Sequence, residues 1–238
     1  MSSPMKPLQL YGGILGPNPG KVSILLTELG IPFETVTVLM SDVKKPEYTA
    51  LNPNGRLPTL IDPNTGLKIW ESGAIIEYVI EKYDTDHKLS YPQGTDEYYH
   101  CKQFLHFQMS GQGPYYGQAW YVPSLRTSLP QSLPHNILPS VIERYMNEIK
   151  RVHGVLEAHL ATRDWLVGDK CTYADLAFIT WQEIAGTLAG QNSGFYDTEK
   201  DFPRVHAWYK RMVEKPLLKK LMQERVELMA KAMAAGKH

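Results

Sequence analysis

The chain has 238 residues, 43% of them hydrophobic, with 25 Lys and Arg balanced by 25 Asp and Glu. That length allows one large domain or two modest ones with a real core, and zero net charge argues against a nucleic-acid partner, which calls for a basic field. Cys101 and Cys171 form neither a metal-ligand pattern nor a disulfide scaffold, no apolar run approaches the about 18 residues of a membrane span, and the first residues lack the apolar core of a signal peptide, so a soluble cytoplasmic protein is expected.

Leu8–Tyr11 reads as a short strand, followed by a glycine-rich loop over residues 12–18. A helix is expected from Pro19, because Val22, Leu25, Leu26 and Leu29 recur on one face. Gly30 closes it and Pro32 blocks its continuation. Residues 33–39 are rich in valine and threonine and read as a strand. A polar connection containing Lys44, Lys45 and Pro46 leads to a third strand over 57–61. The turn cluster 62–66 separates it from a fourth strand over 67–70. From Ser72 a helix runs to about Tyr83, with Ile75, Ile76, Val79, Ile80 and Tyr83 on one side. The order β-α-β then β-β-α implies a parallel pair with a right-handed crossover, followed by an antiparallel hairpin. This is a thioredoxin-like α/β layout, expected over residues 1–86.

Residues 84–95 are polar and turn-rich and read as a linker. Residues 97–121 are aromatic and helical in tendency, with Gly111, Gly113 and Pro114 expected to bend the helix. Residues 123–139 carry Pro123, Pro130, Pro134 and Pro139 and read as loop. Val141, Tyr145, Ile149, Val152, Leu156 and Leu160 mark a long amphipathic helix. Thr172 and Asp175 form a capping box with Asp in place of Glu or Gln. Further helices follow from Phe202 and after Pro216, ending in a frayed tail over 231–238. With no strand pattern in this half, residues 96–238 are expected to form an all-α domain.

Two short segments carry the chemistry. Pro58 stands at the mouth of the third strand, a position that a strand-start proline also occupies for purely structural reasons. Glu71-Ser72 stands where the fourth strand runs into a helix. Together they suit a small peptide held by its backbone and its amino-acid end. Ser72 is also a natural N-cap, and an acid in a first turn, such as Glu71, is ordinary dipole chemistry. Asn18 before Pro19 reads as an N-cap followed by a proline at the first helical position. Tyr11 at the end of the first strand and Ser23 inside the helix are weaker candidates, the latter a packing residue. The run holding Tyr115, Tyr116 and Trp120, with Met109, is either an apolar ligand wall or the core of a helix bundle. The histidines show no metal-ligand spacing.

Leu57-Pro58, Glu71-Ser72 and the segment Gly168-Asp-Lys-Cys-Thr-Tyr-Ala-Asp175 resemble three motifs of the cytosolic glutathione transferases, in the same order and over nearly the whole chain. Residues 16–22, 52–58, 70–73 and 108–114 resemble more closely the fungal nitrogen-regulator-type branch and its bacterial nu-class relatives. That branch places an asparagine, rather than Tyr, Ser or Cys, near the glutathione sulfur. A Thr often found two residues before that asparagine is Gly16 here, which removes one hydroxyl donor.

The resemblance implies glutathione as co-substrate, bound by Asn18, Lys44, Leu57, Pro58, Glu71 and Ser72. A cis peptide before Pro58 would let Leu57 offer its N–H and C=O to the cysteinyl backbone. Ser72 and the helix N-terminus would hold the γ-glutamyl carboxylate, Glu71 its ammonium. Lys44, otherwise a solvated loop lysine, would meet the glycine carboxylate. Asn18 would be catalytic, as a donor to the thiolate. A thiol of pKa about 8.5 is only a few per cent ionised at pH 7, and about 2 kcal/mol of stabilisation lowers that pKa by about 1.5 units. Met109, Tyr115, Tyr116 and Trp120 would line the electrophile pocket. A homodimer without metal is implied, with a hydrophobic electrophile or a disulfide as second substrate and neither nucleic acid nor membrane as partner. The activities it allows are glutathione transfer, glutathione-dependent reduction of disulfides or peroxides, and a non-catalytic regulatory role. A transferase dedicated to one biosynthetic pathway would use the same residues as a general one.

Overall fold

Leucines at alternate positions decide the first strand, β1 (Leu8–Tyr11). Leu8 and Leu10 are wholly buried while Gln9 and Tyr11 are half-buried, the two-residue period of a sheet with one face on a core. In the computed structural model, which describes residues 4–128, 139–191 and 196–234, β1 belongs to a four-stranded sheet with β2 (Phe33–Val36), β3 (Thr59–Ile61) and β4 (Lys68–Trp70), ordered β2-β1-β3-β4. β1 is parallel to β2 and antiparallel to β3, and β3 is antiparallel to β4. This is the thioredoxin-like layout expected. The strands are shorter than the sequence suggests. β2 stops at Val36 because the residue opposite, Tyr11, is the last of β1. β3 starts only at Thr59, since Pro58 has no N–H to give to a ladder.

Helix α1 (Pro17–Leu29) is covered on several sides. It packs against β1, α3 (Ser72–Tyr83) and the last helix, α11 (Pro216–Ala234), and every residue from Pro19 to Leu26 is buried. Its start corrects the expectation: the N-cap is Gly16, with Pro17 first in the helix, so neither Pro19 nor an Asn18 cap opens it. Either proline has the fixed φ that suits a first turn, and the chain uses the earlier one. Helix α2 (Pro46–Thr49) is a single turn in the polar connection. α3 turns Ile75, Ile76, Val79 and Ile80 to the core. The turn 62–66 is tied to α3 through Asp62, which accepts from the Asn64 N–H at 2.7 Å and the Tyr78 hydroxyl at 2.5 Å.

The chain divides into two compact units, one joining the residues up to Tyr98 with those from Met212 onward, the other spanning Tyr99–Arg211. Residues 212–234, expected in the helical domain 96–238, therefore group with the first unit, because α11 packs on α1. Buried Arg225 of α11 donates to the Ile14 carbonyl in the glycine-rich loop. The expected linker begins with a tight turn, where buried Asp84 accepts from Lys88 N–H (2.8 Å), Leu89 N–H (2.9 Å) and the Ser90 hydroxyl (2.7 Å).

The second unit is helical: α4 (Asp96–Phe107), α5 (Gly113–Ser128), α6 (Pro139–His159), α7 (Tyr173–Leu176), α8 (Ile179–Gln191), α9 (Thr198–Asp201) and α10 (Pro203–Val213). A π-helical stretch, Gln108–Gln112, joins α4 to α5 where a bend was expected. Residues 123–128, expected as loop, continue α5, and residues 129–138 lie outside the described part. A proline costs a helix one ladder bond, and here α5 runs on through Pro123. The helix α11 likewise continues to Ala234 where a frayed tail was expected, while residues 235–238 lie outside the described part. The capping box at Thr172 and Asp175 is present as read from the sequence. No helix of the described residues is long and apolar enough to cross a membrane.

Candidate functional site

Strand register brings the two informative segments together. Tyr11, the last residue of β1, lies opposite Thr59, the first of β3, and Thr59 lies opposite Trp70, the last of β4. The glycine-rich loop after β1, Leu57-Pro58 before β3 and Glu71-Ser72 after β4 therefore share one end of the sheet. α1 and α3, of 13 and 12 residues, both begin there. Their N-terminal amides make that end favourable to negative charge. The segments touch: a Cβ placed on Gly12, whose φ is +97°, would lie 2.9 Å from Pro19 Cγ and 3.2 Å from Leu57 Cβ. Only glycine fits so close an approach with that backbone.

The Leu57–Pro58 peptide is cis. The loop before it is held from inside. Asn52, 2% exposed, donates from Nδ2 to the Arg56 carbonyl at 2.7 Å and accepts the Asn54 N–H at 3.0 Å. The Tyr48 hydroxyl donates to the same carbonyl at 2.8 Å and sits 2.8 Å from Thr59 Oγ1. Pro58 is buried and Leu57 half-buried.

Glu71 is exposed and is itself the N-cap of α3, with φ +71° and ψ 115°. A non-glycine residue in that region costs on the order of 1–3 kcal/mol. Ser72, expected as the cap, is the first helical residue and is buried. Asn54 Nδ2 donates to Glu71 Oε1 at 3.2 Å, and the exposed Lys44 donates from Nζ to the Asn54 carbonyl at 2.8 Å. Lys44, Asn54 and Glu71 thus form a chain of contacts along the rim. Asn18 is half-buried in the first turn of α1, and Gly16 caps that helix without a side-chain bond. Tyr11 is half-buried with its ring 6.2 Å from that of Tyr48, and Ser23 bonds the Pro19 carbonyl at 3.2 Å inside the helix.

One functional candidate is absent from the sequence reading. Lys21 lies on α1 one turn beyond Asn18 and is 1% exposed. Burial pushes its ammonium down to about 7, opposed by the charge of Glu71. The available signal was a lone cation in an otherwise apolar and small-residue stretch, but the stretch alone does not reveal that all its sides are covered. Asn54 was passed over too, inside an Asn-Pro-Asn-Gly segment that reads simply as a turn.

The remaining predicted residues belong to the second unit. Tyr116 is wholly buried, its hydroxyl 3.4 Å from His153 Nδ1, and burial pushes its phenol well up. Met109 and Tyr115 are half-buried, the ring of Tyr115 lying 6.5 Å from that of Tyr145, and Trp120 is 42% exposed. Tyr116 is therefore a core residue, while the other three keep accessible surface. Among the described residues, no cluster of three or more His, Cys, Asp or Glu could hold a metal ion.

Family models for the glutathione S-transferase N-terminal domain and C-terminal domain match residues 6–81 and 127–216. The chain is 45% identical over 229 residues to "Glutathione S-transferase-like protein gedE" of Aspergillus terreus, covering 92% of this chain and 96% of that one. It superposes with a TM-score of 0.84 on the glutathione transferase URE2P5 of Phanerochaete chrysosporium, at 42% identity over 96% of this chain and 99% of that one. URE2P8 from the same fungus, solved with oxidized glutathione, gives 0.83 at 38% identity over the same shares.

Proposed function

From the premise that this chain belongs to the glutathione S-transferase family, we propose that it binds glutathione at the end of the sheet where α1 and α3 begin and stabilises the thiolate for attack on a second substrate. The observation that carries the reading is the convergence there of three parts. They are the cis Leu57–Pro58 peptide, exposed Glu71 beside buried Ser72 at the start of α3, and Asn18 in the first turn of α1. Each has a complement in the tripeptide. The backbone of Leu57 pairs with the cysteinyl residue as an added strand would. Ser72 and the α3 amides receive the γ-glutamyl carboxylate, and Glu71 receives its ammonium. Lys44 meets the glycine carboxylate by giving up its bond to the Asn54 carbonyl.

Catalysis on this reading is electrostatic. An amide cannot serve as a general base, so Asn18 acts by donating a hydrogen bond to the sulfur, with the α1 amides behind it. Together these supply about 2 kcal/mol, enough to bring a thiol of pKa about 8.5 close to neutrality. The proton leaves to water or to a carboxylate of glutathione itself. The thiolate then attacks a hydrophobic electrophile, in a protein that is expected to act as a homodimer. A second reading, reduction of a disulfide by the same thiolate, draws on URE2P8 having been solved with oxidized glutathione.

Asn18→Ala is expected to lower kcat toward 1-chloro-2,4-dinitrobenzene about tenfold, a loss of about 1.4 kcal/mol, while the calorimetric Kd for glutathione changes less than threefold. An unchanged rate would remove Asn18 from the chemistry. Ser72→Ala is expected to raise KM for glutathione about tenfold with kcat preserved, and an unaltered KM would contradict the assigned carboxylate site. Wild-type protein that binds neither reduced nor oxidised glutathione in calorimetry would end the proposal. Binding without turnover of electrophiles, disulfides or peroxides would make it a regulatory binding protein instead.

A further inference from the structure

Asn54 is exposed, yet both polar groups of its backbone are engaged. Its N–H donates to Asn52 Oδ1 at 3.0 Å, and its carbonyl accepts from Lys44 Nζ at 2.8 Å. The next residue fixes the turn. Gly55 donates its N–H to the Asn52 carbonyl at 2.9 Å and has a φ of +59°. A Cβ there would lie 2.7 Å from the Val43 carbonyl oxygen and 2.8 Å from Lys44 Cδ, so only glycine lets the chain pass so close. Asn52, which serves both residues, is buried and donates to the Arg56 carbonyl at 2.7 Å.

A side chain on so fixed a backbone has few directions open to it. A turn asparagine ordinarily bonds a backbone group two residues on. The amide of Asn54 instead reaches a side chain 17 positions away, Nδ2 donating to Glu71 Oε1 at 3.2 Å. Glu71 itself sits at φ +71°, a backbone region that disfavours side chains and that proteins retain mostly where a site uses it. A carboxylate has two acceptor oxygens, so a donor on Oε1 orients the group and leaves it able to meet a second donor.

We propose that Asn54 is a positioning residue for Glu71, setting the carboxylate in advance for the ammonium of an amino-acid ligand. Ordering the acid before the ligand arrives removes part of the entropy cost of binding. The inference rests on the glutathione reading. It adds that one exposed turn residue joins the group assigned to the glycine carboxylate, Lys44, to the group assigned to the γ-glutamyl ammonium, Glu71. When Lys44 turns to the ligand, the bonds from Asn52 and Gly55 still hold the turn.

The test is a double-mutant cycle read by calorimetry with S-hexylglutathione, whose alkyl chain keeps binding measurable in weakened variants. Asn54→Ala is expected to weaken binding about fivefold and Glu71→Gln at least about tenfold. In the Glu71→Gln background, Asn54→Ala should cost less than about twofold, because the carboxylate it served is gone. Additive losses would overturn the inference, since a merely structural turn residue costs the same in either background. Tighter binding by Asn54→Ala would also overturn it, by showing that the amide competes with the ligand for Glu71. A second readout needs no Asn54 variant and no ligand: in the free protein, the NMR signals of the Asn54 side-chain amide should move in Glu71→Gln, and unmoved signals refute the contact. If the wild type does not bind S-hexylglutathione, the glutathione reading fails and the ligand role of Asn54 with it, whereas binding with additive losses overturns the inference alone.

Discussion

Asp175→Ala is expected to lower the unfolding free energy by about 4 kcal/mol, measured by urea denaturation. The Asp175 carboxylate is wholly buried and fully used. Oδ1 accepts from Leu166 N–H and Trp208 Nε1–H, each at 2.9 Å, and Oδ2 accepts from Thr172 N–H at 2.8 Å and the Thr172 hydroxyl at 2.9 Å. Truncation strands two backbone donors and an indole N–H, each costing about 1–3 kcal/mol when buried without an acceptor. Part of the loss is offset, because burial pushes the Asp175 carboxyl up and its removal relieves that cost. Asp175→Asn separates the two oxygens. It keeps an acceptor for Leu166 and Trp208 but sets an NH2 against the Thr172 N–H, so a loss of about 2 kcal/mol is expected. If both variants fell within 1 kcal/mol of wild type, the capping box would be a bystander to the packing around Trp208.

A second large effect is expected from His153. The ring is buried between Tyr116, Tyr196 and Phe202, and desolvation lowers its pKa to about 4, against the opposing hydrogen bonds to Gln182 and the Ile149 carbonyl. In the unfolded chain the same group titrates near 6.5. Between those values the unfolded state binds a proton that the folded state refuses, so stability falls as pH drops from about 6.5 to about 4. The loss is about 3 kcal/mol from this one residue. Urea midpoints at pH 7 and pH 4.5 should show it, and His153→Leu should flatten that part of the profile while lowering stability at pH 7. Equal slopes in the two proteins would assign the acid sensitivity elsewhere. The neutral ring has one N–H, yet Nδ1 lies 3.1 Å from the Ile149 carbonyl and Nε2 lies 2.8 Å from the amide oxygen position of Gln182. The consistent arrangement has Nδ1–H donating to Ile149 and the Gln182 NH2 turned toward Nε2, which also gives the otherwise unpartnered Gln182 amide nitrogen an acceptor.

The local features were legible in the sequence because they depend on neighbours within a few residues. The capping box needs only Thr172 and Asp175, and the apolar face of α3 needs only a period of 3.6. The start of α1 was not legible, since Pro17 and Pro19 are equally good first-turn residues and only the path of the glycine-rich loop chooses between them. Strand lengths depended on partners: β2 ends where β1 ends. At the candidate site, Leu57, Pro58, Glu71 and Ser72 could be named because their motifs resemble those of a known family, but the left-handed backbone of Glu71 has no compositional mark. Lys21 escaped for a more general reason. The helix that carries it packs against α3 and α11, segments about 50 and 200 positions away in the sequence, and no window along the chain contains them.

The grip of Arg225 on the Ile14 carbonyl joins residues 211 positions apart. In sequence the second unit is an insertion within the first, so the first unit is discontinuous in the order of synthesis. A nascent chain that has released only its sheet and first three helices lacks the clasp on the loop leading to Asn18. The end of the sheet where α1 and α3 begin is thus assembled in outline early but fastened only once α11 has been made, and a contact of such long range adds to the sequence separation that slows folding.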